Sequence, residues 1–246
     1  MRTLACIKKR TIDRGVVAQT DGMRGHGENI GQQVGPNAFL RGVDRLFCRY
    51  WHRLPRQLHP LPAGPLILAG NHLSGLDPLL IQASVDRPVA FMMAREYYQS
   101  MWYIRWGFDM VGAIPVNPGG ANRQALKRAI EVVRAGNVLC IFPEGAANPP
   151  VSMARVLPGA ALIAAETGAP IIPFFVSGVT PFDHQHMWPA FYRRGHAKVA
   201  WGAPIQCGLR QDERQEGQQQ QRLDLRAVLL RDSEYIRQKI IELSDC

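Results

Sequence analysis

The stretch LILAGNHLSGLDPLLIQ, Leu66 to Gln82, decides how the rest of the chain is read. It opens on a short continuous apolar run, the pattern of a strand buried on both faces. From Asp77 the text DPLLIQAS reads as a helix, with Asp77 as its cap and Pro78 as its first residue. Between the two lies NHLSGLD, a loop holding a histidine and an aspartate five positions apart around Gly75. In open α/β sheets the loops that leave the carboxyl ends of strands are where ligands collect.

The same alternation continues outward from this unit. PVAFMM, MVGAIPV, NVLCIF, APIIPFFVSG and HAKVAWG read as strands. Between them, REYYQSMWYIRWG, NRQALKRAIEVVRAG and GAALIAAETG read as helices, the second with Asn122 as its cap and Gly136 as its stop. Apolar strands separated by helices imply an α/β fold with a mostly parallel sheet flanked by helices. Upstream, Asn37 caps AFLRGVDRLFCRYWHRL, where apolar and aromatic residues recur at helical spacing with arginines largely between them. This is the pattern of an amphipathic membrane-surface helix, or of a helix packed on its own domain. Three segments follow: a flexible basic leader over 1–36, the amphipathic helix over 37–58, and an α/β domain over 59–246. RQDERQEGQQQQRLD supplies a solvated polar insert at about 209–222, ahead of a final amphipathic helix.

Of the 246 residues, 29 are Lys or Arg and 20 are Asp or Glu, a formal net charge of +9. Residues 1–58 hold 11 of those cations against 4 of the acids, so the basic character belongs to the N-terminal quarter. Such a segment suits an anionic bilayer or a nucleic acid, and no nucleic-acid-binding signature accompanies it. No run approaches the roughly 18–20 apolar residues of a spanning helix. The five cysteines have no metal-finger spacing, which predicts no structural metal.

Two loops carry the chemistry. On a continuous helix His72 and Asp77 would stand about 140° apart, from the 100° per residue of helical geometry. They meet only if the chain turns between them, which Gly75 permits. Folded so, the carboxylate accepts from one imidazole nitrogen and leaves the other as an acceptor toward the cleft, the arrangement of an oriented general base. A plain helix cap remains the alternative for Asp77. The second loop is FPEGAANPP, directly after VLCIF. There Glu144 is placed to position a hydroxyl or hold a basic residue, and Gly145 lets the backbone approach a ligand closely.

Taken in order, NHLSGLD, GAIPVN (Gly112 to Asn117), FPEG and APIIPF (Ala169 to Phe174) resemble the four sequence blocks of the glycerolipid acyltransferases, the lysophosphatidic acid acyltransferases of the PlsC type. The resemblance extends over about residues 37–205. It implies transfer of a fatty acyl group from acyl-CoA or acyl carrier protein to a free hydroxyl of a lysophospholipid, 1-acylglycerol-3-phosphate or a relative. It further implies His72 as general base and Asp77 as its orienting carboxylate, with Asn71, Ser74, Glu144 and Gly145 as substrate contacts. Backbone N–H groups near the FPEG turn would serve as oxyanion donors. No metal, no cofactor and no covalent nucleophile is implied; Ser74 is better placed as a cap for the following helix. The implied location is peripheral, on the cytoplasmic side of the membrane.

The sequence departs from the family where the acceptor phosphate is bound. The third block often continues FPEGTRS, whereas Ala147 stands here at the arginine position. The downstream text RVLPGAA lacks a basic residue next to its glycine, and Asn117–Pro118 replaces an arginine after the second block. Arg95, Arg123 and Arg155 are the candidates to stand in. The departures also leave room for an acceptor without a phosphate monoester, or for a catalytically silent lipid-binding homologue.

Overall fold

Period-two burial organises the domain. Along β1 (Leu66–Gly70) and β4 (Val138–Ile141), Leu66, Leu68, Val138 and Cys140 face one hydrophobic core, and Ile67, Ala69, Leu139 and Ile141 face another. All of these are buried, as strands covered on both faces must be. The computed structural model describes residues 34–95, 99, 108, 113–117, 122–145, 153, 156–181, 189–207 and 218–245. Residues 1–33 of the leader, Arg155 and most of the helix expected over 95–107 lie outside the described residues.

The remaining strands are β2 (Val89–Ala94), β3 (Ile114–Val116), β5 (Ile171–Ser177) and β6 (Lys198–Trp201). They form one six-stranded sheet in the order β3-β2-β4-β1-β5-β6, parallel except for the β5–β6 pair. Helices α1 (Ala38–Trp51) and α2 (Asp77–Ser84) contribute to the first core. Helices α3 (Arg123–Arg134), α4 (Gly159–Thr167) and α6 (Gln218–Ile241) contribute to the second; α5 (Pro189–Tyr192) is a single turn before β6. The expected α/β architecture is therefore the observed one.

Register places the site. Ala69 pairs with Ile141 and Gly70 with Phe174, so the loops following β1 and β4 leave the carboxyl edge side by side. At Gly70 a Cβ would stand 2.2 Å from the buried Phe174 ring, so only glycine allows that ring to lie across the strand end.

Several boundaries differ from the sequence expectation. The lead-in helix stops at Trp51 rather than running toward residue 58. His52 is its C-cap, and Arg53 at φ +53° turns the chain ahead of Leu54–Pro55. The closing helix starts at Gln218, inside the expected polar insert, because a glutamine run has helix propensity but no apolar period to announce it. Asn122 does not cap α3 with its side chain; it accepts from the Asn117 N–H at 2.7 Å and donates to the Asn117 carbonyl at 2.8 Å.

Helix α1 also turns its faces unexpectedly. Asn37 caps it as expected, accepting from the Leu40 N–H at 2.9 Å. Its arginines, however, do not all reach into solvent. Arg41, Arg45 and Arg49 donate to the carbonyls of Asp86, Val85 and Arg56 at 2.7, 2.7 and 2.6 Å. The exposed stripe is apolar: Phe39, Val43, Leu46 and Tyr50, at one helical face.

The inner face of α1 holds a titratable group. Burial pushes the Asp44 carboxyl from 3.8 up to about 7, with the Cys48 thiol hydrogen bond and Arg45 pulling it back. Its Oδ2 is buried without a partner. A carboxyl whose folded pKa is raised contributes most to stability below about pH 4, and that contribution is lost as pH rises toward 7. Asp44→Asn is therefore expected to stabilise the protein above about pH 7, by no more than about 4 kcal/mol, and to be neutral near pH 4. Urea unfolding of both proteins at the two pH values checks this; a difference independent of pH would contradict it.

Candidate active site

The turn after β1 is built around one carboxylate. Asp77 is fully buried, and its Oδ2 accepts from the Leu73 N–H at 2.7 Å, the Ser74 N–H at 2.8 Å and the His72 Nδ1 at 2.9 Å. The loop thus wraps back over the start of α2, as Gly75 permits. Asp77 is not the expected helix cap: Leu76 holds that position, and the Asp77 side chain points back into the preceding loop. Its Oδ1 is buried and without a hydrogen-bond partner.

A carboxylate 2.9 Å from Nδ1 favours the tautomer with its proton on that nitrogen, which leaves the Nε2 lone pair as an acceptor. The His72 side chain keeps 21% of its exposure, enough to be reached from outside, while its partner has none. Its ring lies on Phe142, with centroids 4.2 Å apart and planes 15° from parallel. Phe142 meets Phe174 edge-on at 6.0 Å. The imidazole is therefore fixed by a hydrogen bond at one edge and by an aromatic platform beneath it.

The contact of the Phe142 ring with His72 escaped the sequence reading, which took Phe142 only as the end of its strand. The available signal was its position directly after β4, whose pairing with β1 sets it beside the histidine loop.

Glu144 sits in the adjacent turn, half-buried, and its Oε1 accepts from the His72 N–H at 3.1 Å. Burial raises its pKa above the ordinary value; the hydrogen bonds from the His72 and Met153 backbone and the charge of His72 pull it back, and Asp77 raises it slightly. The carboxylate expected to face a substrate thus ties the two loops together. Gly145 has φ +75°, and a Cβ there would meet Leu157 at 2.6 Å, which explains the glycine without a ligand.

Asn71 and Ser74 are also turned inward. Both are fully buried. Asn71 bonds the Val176 backbone twice, accepting from its N–H at 2.7 Å and donating to its carbonyl at 2.9 Å. Ser74 Oγ accepts from the Leu76 N–H at 3.3 Å, just ahead of α2, and so supports the helix start as expected. These two expected substrate contacts are instead braces that shape the histidine loop. Several backbone N–H groups around the two loops are already engaged. The N–H groups of His72, Leu73 and Ser74 are occupied by carboxylates, and that of Gly145 bonds the Phe142 carbonyl at 3.1 Å.

Of the three stand-in arginines, Arg95 is half-buried directly after β2, and Arg123 is exposed at the start of α3. Both lie beyond carboxyl ends of strands, but neither is joined to the His72–Asp77–Glu144 network. Among the described residues no group of three or more His, Cys, Asp or Glu could hold a metal ion.

A family model described as Acyltransferase matches residues 53–177, slightly more than half of the chain. The chloroplastic 1-acyl-sn-glycerol-3-phosphate acyltransferase BAT2 of Brassica napus is 30% identical over 125 residues, covering 49% of this chain and 36% of that protein. The 1-acyl-sn-glycerol-3-phosphate acyltransferase of Borreliella burgdorferi is 27% identical over 137 residues, 49% of this chain and 54% of its own length. The chain thus spans about a third to a half of the length of the curated relatives it matches. Among solved structures, PlsC from Thermotoga maritima, a 1-acyl-sn-glycerophosphate acyltransferase, aligns with a TM-score of 0.48 at 20% identity, over 80% of this chain and 79% of that one.

Proposed function

The chain belongs to the acyltransferase family, and from that premise we propose that it moves a fatty acyl group from a thioester to the free hydroxyl of 1-acylglycerol-3-phosphate or a related lysophospholipid. The donor is acyl-CoA or acyl carrier protein. His72 Nε2 takes the hydroxyl proton as the oxygen attacks the thioester carbonyl. The new C–O bond forms first, giving a tetrahedral intermediate. Collapse then breaks the C–S bond, and the departing sulfur receives the proton held by His72. Asp77 holds the ring and offsets the charge of the imidazolium. Phe142 supports the ring face, and Glu144 ties the histidine loop to the turn after β4 through the His72 N–H. The observation that carries this reading is the 2.9 Å contact between His72 Nδ1 and a buried carboxylate, which leaves the opposite nitrogen free to accept.

The acceptor lipid would be drawn from a bilayer on which the protein lies peripherally, with the donor arriving from the cytoplasmic side. Among the described residues no helix is long and apolar enough to cross a membrane. The exposed apolar stripe of α1 supports this arrangement, since Phe39 and Tyr50 are each 75% exposed.

Ala147, in place of the expected phosphate-binding arginine, favours a second reading: an acceptor whose phosphate is esterified or absent. One experiment separates these. Purified protein is given labelled acyl-CoA or acyl carrier protein with 1-acylglycerol-3-phosphate, larger-headed lysophospholipids and monoacylglycerol. Transfer to 1-acylglycerol-3-phosphate, faster than to the others, is expected. A preference for a larger or phosphate-free head group transfers the assignment to the second reading. Lipid binding without turnover on every acceptor overturns both.

A further inference from the structure

The carboxyl end of α1 meets the segment 189–198, and the two together carry an unusual charge. Residues 45–60 include Arg45, Arg49, Arg53 and Arg56 and no Asp or Glu; residues 189–206 include Arg193, Arg194 and Lys198 and again none. The two segments are in direct contact. The Ala197 N–H donates to the His52 carbonyl at 2.8 Å, the Arg194 guanidinium lies 4.7 Å over the Trp51 ring, and Arg53 reaches the His196 imidazole. Arg53, Arg193, Arg194 and Lys198 are all exposed. Aromatic residues flank them, with Tyr50 75% exposed on α1 and Tyr192 61% exposed at the end of α5. Arginine and tyrosine side by side at the border of an apolar stripe is the composition of a membrane interface.

The arginines along the body of α1 are poorly placed for that task, since Arg41, Arg45 and Arg49 are hydrogen-bonded to backbone carbonyls of the domain. Charge for an anionic surface has to come from elsewhere. Register shows where. Lys198 pairs with Ser177 at the carboxyl end of β5, three residues beyond the Phe174 that pairs with Gly70. The basic cluster therefore stands at the same sheet edge as His72.

We infer that Arg53, Arg193, Arg194 and Lys198 form the anionic-lipid contact of this protein, a cationic rim that continues the apolar stripe of α1 and holds the His72 edge against the bilayer. The inference rests on the peripheral-membrane reading above and adds the source of its lipid selectivity. The apolar stripe binds any bilayer; the rim binds phosphate head groups of anionic ones. Each cation near such a surface contributes roughly a fivefold gain in binding at low salt.

The test is flotation of the full chain with vesicles of phosphatidylcholine alone, or of phosphatidylcholine with phosphatidylglycerol. Wild type is expected to bind both, and the anionic vesicles more tightly. Arg193→Gln/Lys198→Gln, at two exposed positions, is expected to lose on the order of tenfold in binding to anionic vesicles, with phosphatidylcholine binding unchanged. Adding Arg53→Gln and Arg194→Gln should remove most of the remaining preference, with thermal unfolding confirming the fold. Phe39→Ser/Leu46→Ser is expected to weaken binding to both vesicles. If wild type prefers anionic vesicles and the four-charge variant keeps that preference, the rim is overturned and the charge belongs to the leader. If wild type binds neither vesicle, the peripheral reading itself falls. If Phe39→Ser/Leu46→Ser instead converts a dimer to a monomer, the stripe is covered by a second copy and the inference fails.

Discussion

Replacing His72 by alanine is expected to lower the rate of acyl transfer by about 10²–10⁴-fold while the protein stays folded. The side chain is partly exposed and makes one hydrogen bond and one ring contact, so its loss costs little packing. Asp77 would keep its two backbone donors. Because the ring acts on the hydroxyl proton, the loss should fall on kcat, with the KM for the acyl donor little changed. Steady-state assays with labelled acyl-CoA measure both. Activity within a few-fold of wild type would mean that another group takes the proton.

Asp77 should behave differently, because its carboxylate holds the loop as well as the ring. Asp77→Ala leaves the Leu73 and Ser74 N–H groups without their acceptor inside the protein, and unpaired buried donors cost about 1–3 kcal/mol each. The variant is expected to lose about 2–5 kcal/mol of stability together with its activity. Asp77→Asn retains an oxygen for the two amides but not the charge that steadies an imidazolium. Its NH2 then falls where Oδ1 is buried without a partner, so that variant should lose about 1–3 kcal/mol, less than Asp77→Ala, while turnover drops by roughly 10²–10⁴-fold. Denaturant titration beside the transfer assay resolves the pair. Full turnover in Asp77→Asn would reduce the aspartate to an anchor for the loop.

The sheet was legible because its strands are short apolar runs between helix-period segments, and buried parallel strands need little else to be recognised. The His72–Asp77 pairing was legible as a possibility only. Five residues of separation do not bring two side chains together; the turn does, and the turn is held by amides that no residue spacing announces. For the same reason Asn71, Ser74 and Glu144 were marked as polar groups in the right loop without their direction being readable. They face backbone: Val176 for Asn71, Leu76 for Ser74, His72 for Glu144.

Helix α1 shows the converse. Its amphipathic period was plain, yet which face the domain would take was not, because arginines reach carbonyls as readily as water. The apolar stripe left outside and the arginines turned onto the domain follow from where Val85 and Asp86 present their carbonyls. The contact between residues 51–53 and 194–197 joins segments more than 140 positions apart, and only the sheet order brings them together.

The proton on the His72 ring tests the central claim most directly. Long-range proton–nitrogen correlation spectra of the histidine-labelled protein, with His72 assigned by its disappearance in His72→Gln, report which nitrogen is protonated in the neutral ring. The expected result is a proton on Nδ1, facing Asp77, and a bare Nε2. A neutral ring protonated on Nε2 would have no lone pair to offer a lipid hydroxyl, and the proposed role of His72 would be contradicted.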